Sequence, residues 1–97
     1  MIGTTIEQGE RLLKAGIPKE SADLWWCWYI VGNDTTPIIL RPETPILYTF
    51  NWYNDPENKP SWSLDTLIRL AKEREIDINL NDISDPFEYI ICALEEE

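Results

Sequence analysis

Ninety-seven residues carrying a net charge of −10 and no histidine are enough for one small domain, taken here as residues 1–97, and they remove much of the usual catalytic equipment. Without an imidazole there is no Ser-His or Cys-His nucleophile system and no histidine metal ligand. Eight basic residues interleaved with 18 acidic ones give no surface for direct binding to nucleic acid. No apolar run approaches the roughly 20 residues that span a bilayer. The charges distributed through residues 1–20 leave no room for the apolar segment of a secretion signal, so the expectation is a soluble, cytoplasmic protein.

The chain opens on a well-signed helix. In "TIEQ", Thr5 at the N-cap and Gln8 three residues on form a capping box. Ile6, Leu12 and Leu13 make a modest apolar stripe, while Glu7, Glu10, Arg11 and Lys14 read as solvated. Gly16 and Pro18 end the helix. Gly9, in mid-helix, is expected to weaken it by about 1 kcal/mol. Aromatic and β-branched runs follow: "WWCWYIV", "IILR" and "ILYTFNWY" read as three strands, and "NDPENKP" (54–60) as a loop.

Ser63 caps a second helix in which Leu64, Leu67, Ile68 and Ala71 share one face. Trp62, just before that cap, is expected to lie in the core, stapled onto Ile68 or Leu67. "IDINL" alternates Ile76, Ile78 and Leu80 with Asp77 and Asn79, as a half-buried strand does. Asp85, Pro86 and Glu88 start a third helix with Phe87, Ile90, Ile91 and Leu94 on one face. The order is α-β-β-β-α-β-α. It predicts an α+β fold with a small, mainly antiparallel sheet of three to four strands packed against two to three helices.

Three stretches, "TTIEQGERLLKAGIPKESADLWW" (4–26), "PSWSLDTLIRL" (60–70) and "DPFEYIICAL" (85–94), resemble a family of short proteins from gut-dwelling bacteria and their phages. Its members open with EQ-x-x-x-LL-x-x-G-[LI]-P-x-x-[ST]-A-D, carry P-[AS]-W-S-L-x-x-L and close on an apolar helix. The likeness covers about half of the chain. This sequence departs from it in a short connection between the second and third helices, where relatives insert a hairpin. The resemblance implies a fold and a phage or mobile-element origin. It brings no activity and no site residue, because its motifs are caps, turns and core leucines.

The densest chemical feature is "DLWWCWYIVG" (23–32), with three tryptophans and a tyrosine between positions 25 and 29. On a strand Trp25, Cys27 and Tyr29 face one way, here taken as the helix-covered side, and Trp26, Trp28 and Ile30 the other. Both faces are therefore apolar, and the second needs cover. Loops 33–45 and 54–62 could supply it. Alternatively Trp26, Trp28 and Tyr53 form a surface for a protein partner or a second copy, or a stacking platform for a sugar or nucleotide. An acidic decoy occupying a nucleic-acid-binding protein is a third possibility.

Residues 77–88 place Asp77, Asn79, Asn81, Asp85 and Glu88 at calcium-loop positions, but Asp82 stands where the sharp turn needs glycine. No metal and no cofactor is expected. Cys27 and Cys92, each in an apolar run, read as inert buried hydrophobes. The reading is a non-enzymatic protein acting by protein–protein contact.

Overall fold

A computed structural model describes residues 2–30, 38–39, 44–81 and 83–96, with the side chains of 38, 39 and Tyr53 outside the described set. Three helices form where the local signals put them. Helix α1 (Ile6–Lys14) begins in the expected capping box: Thr5 Oγ1 accepts from Gln8 N and Gln8 Oε1 accepts from Thr5 N. It ends in a Schellman motif, with Gly16 at φ +93° and the amide of Ile17 donating to Leu12 O at 3.0 Å. Helix α2 (Leu64–Glu73) is capped by Ser63, and α3 (Pro86–Glu95) by Asp85, with Pro86 in its first turn.

The core is mostly helical. Leu12 of α1, Leu67, Leu70 and Ala71 of α2, and Ile90, Ile91 and Leu94 of α3 are buried together with Ile17 and Trp62. Trp62 is 0% exposed, as its position beside the Ser63 cap predicts. Its indole Nε1 donates to Ser21 Oγ at 3.0 Å, so the ring is buried with its one donor satisfied. Next to it the backbone and hydroxyl of Ser63 donate to the carboxylate of Asp23 at 2.9 and 2.6 Å. The stretches 4–26 and 60–70 thus interlock, tryptophan to serine and cap to carboxylate.

Strands β1 (Leu24–Cys27), β4 (Ile46–Tyr48) and β5 (Lys59–Ser61) make a three-stranded antiparallel sheet in the order β4-β1-β5. Trp25 pairs with Tyr48 and Pro60, and Trp26 with Leu47 and Lys59. Strands β2 (Tyr29–Ile30) and β3 (Ile38–Ile39) form a separate antiparallel pair. The class is therefore α+β, as the pattern of elements predicts.

Within it, several elements differ from the expectation. The run after Leu24 is not one strand: it bends at Trp28, and its two parts join different sheets. The aromatic run after Ile46 leaves the sheet after Tyr48 and closes in a 3₁₀ turn over Trp52–Asn54. Residues 59–61, which read as loop and its continuation, are an edge strand among the described residues, a position where Pro60 need not cost a ladder bond. Residues 76–80 keep their alternating burial but join no strand.

Helix and sheet meet where α1 crosses β5, and Gly9 is buried at that crossing. A Cβ there would lie 2.8 Å from the carbonyl oxygen of Pro60 and 3.4 Å from the Trp62 ring. Gly9 is therefore a docking residue, and the propensity it forgoes allows the close approach of α1 to β5. On the outer side, Leu13 is exposed, while Arg11 is half-buried rather than fully solvated.

Candidate functional site

The two faces of β1 are covered unequally. On one, Trp26 lies under the chain entering α1, and its Nε1 donates to Thr4 O at 2.9 Å. Thr4, itself buried, also accepts from Ser61 Oγ at 2.8 Å and donates its amide to Trp62 O at 3.0 Å. A shallow cleft of about 420 Å³ remains between Thr5, Ile6, Glu7, Trp26 and Pro45. The helix-proximal tryptophan is thus Trp26, and the expectation that Trp25 takes that place is corrected. Trp25 instead meets the ammonium of Lys19, 5.6 Å from its ring centroid.

The second face closes on itself. Cys27 is fully buried there, with its Sγ 3.9 Å from Phe50 O. The rings of Tyr48 and Phe50 meet Trp52 edge-on at centroid distances of 6.3 and 5.1 Å. Asn58, buried, holds the turn by donating from Nδ2 to Asn51 Oδ1 at 2.8 Å and to Trp52 O at 3.0 Å. Tyr48 Oη reaches Tyr29 O at 2.8 Å and ties the two sheets together. Burial pushes the Cys27 thiol above its ordinary pKa, so it stays protonated near neutrality.

Around this corner the apolar surface opens. Ile46, opposite Cys27 in the ladder, is 37% exposed, Ile30 is 43% exposed and Phe50 is 58% exposed. Sequence pattern alone assigns Phe50 to the same strand face as Tyr48. The chain bends at Thr49 and Phe50, and the ring ends largely in solvent. Of the three residues singled out from sequence, Trp26 is half-buried and bonded to the N-terminal segment, and Trp28 is half-buried at the bend. The side chain of Tyr53 lies outside the described residues. The structure thus adds Ile30, Ile46 and Phe50, whose exposure depends on bends that periodicity does not reveal.

Two of the acidic candidates, Asp85 and Glu88, are occupied elsewhere, and Asp77 and Asn81 are exposed. Asp85 Oδ1 accepts the amide of Glu88 as a cap, and Asn79 Oδ1 accepts the amide of Asn81. Glu88 pairs with Arg11 and accepts from Gln8 Nε2 at 3.3 Å. Arg11 also forks onto Glu95, with Nη2 to Oε1 at 2.5 Å and Nε to Oε2 at 3.2 Å. This network ties α1 to α3 and holds both carboxyls below the usual carboxylate range, through their hydrogen bonds to the guanidinium.

Asp82 lies outside the described residues, and among those described no three histidine, cysteine or acidic side chains gather as a metal site would require. Cys92 is exposed on α3, 3.7 Å from Arg11 Nη2, so the expectation that both thiols are buried holds for Cys27 alone. Among the described residues no helix is long and apolar enough to cross a membrane. No family model, curated protein or solved structure matches the chain.

Proposed function

We propose that this chain is a non-enzymatic, cytoplasmic interaction protein of phage or mobile-element type that docks on another protein through the open corner of its sheet. One observation carries the reading: Ile30, Ile46 and Phe50 are exposed, Phe50 at 58% although one edge of its ring meets Trp52. Large apolar side chains left in solvent are characteristic of docking sites where they adjoin one another. The absence of histidine from the sequence favours binding over acid–base or nucleophilic chemistry. The origin rests on the resemblance of residues 4–26, 60–70 and 85–94 to the family of gut bacteria and their phages.

The experiment is affinity capture from a gut-bacterial lysate with the natural chain and with a Phe50→Ser, Ile46→Thr variant. The reading predicts a stoichiometric protein retained by the first and lost by the second, with both chains still giving a single cooperative urea transition. A retained nucleic-acid-binding protein that elutes with salt regardless of the substitutions would favour the acidic-decoy reading. Empty capture, together with a thermal shift on adding a monosaccharide or mononucleotide, would favour a ligand seated in the cleft beside Trp26.

A further inference from the structure

We draw no further inference here: the strongest candidate, the surface patch of residues 76–80 with the cleft of about 450 Å³ that they share with Ile68 and Lys72 of α2, is an unpartnered face, and nothing in the structure shows what covers it.

Discussion

Replacing Gly9 by alanine separates local propensity from tertiary contact, because the two predict opposite signs. In an unobstructed helix interior the change stabilises by about 1 kcal/mol. Here the new methyl would sit 2.8 Å from Pro60 O, a backbone atom of a paired strand that cannot swing aside, and 3.4 Å from the buried Trp62 ring. Relief requires α1 to lift from β5, which disturbs the packing of Leu12 and Trp62 in the core. Overpacking of this kind costs about 1–3 kcal/mol. Set against the propensity gain, the net loss is about 0–2 kcal/mol, a fall in Tm of up to roughly 16 °C. Urea equilibrium unfolding followed by tryptophan fluorescence measures it. Gly16→Ala is the control: a Cβ there meets nothing within 4 Å, so any loss comes from its φ of +93° alone. A Gly9→Ala chain more stable than the natural one, by the full propensity gain of about 1 kcal/mol, would refute the docking of α1 on β5 drawn here.

Four further outcomes follow. Trp62→Ala removes the largest fully buried side chain and should cost about 3–5 kcal/mol in urea unfolding, a large part of a small domain's stability. A loss under about 1 kcal/mol would place the ring outside the core. Glu75→Gly relieves the left-handed residue, at φ +60°, that ends α2 in a Schellman motif and should stabilise by about 0.5–1 kcal/mol, read by the same melt; no gain would contradict that geometry. With a disulfide-exchange reagent, native protein should titrate a single fast thiol, Cys92, with Cys27 reacting only after denaturation. The carboxyls of Glu88 and Glu95 have lowered pKa values in the fold, so their contribution is present above the unfolded carboxylate value, about 4.3, and is lost as pH falls through the folded values. Arg11→Gln should flatten that acid limb of Tm against pH, and superimposable limbs would contradict the pairing.

The helices were legible because their determinants are local. Thr5 with Gln8, Ser63, and Asp85 with Pro86 each act within one turn, and Gly16 closes α1 by its own backbone freedom. The sheet was less legible, since cross-strand partners far along the chain decide which apolar run is paired. The tryptophan run divides at Trp28 because β1 pairs with β4 and β5 in one sheet and β2 pairs with β3 in the other, and Pro60 hides β5 within a loop-like composition. Gly9 looks like a local weakness until Pro60 is brought against it. The candidate surface shifts for the same reason. Trp26 commits its indole N–H to Thr4, while Phe50 turns outward at a bend that alternation cannot reveal.

The proposal of a docking corner is tested most directly by photo-cross-linking from position 50. Phe50 is replaced by a benzophenone-bearing analogue in cells of a gut-bacterial host, and Leu13, apolar and exposed on α1, serves as the control position. The account predicts one discrete covalent adduct with a host or phage protein from position 50 and none from position 13. No adduct from position 50, or the same products from both positions, would contradict it.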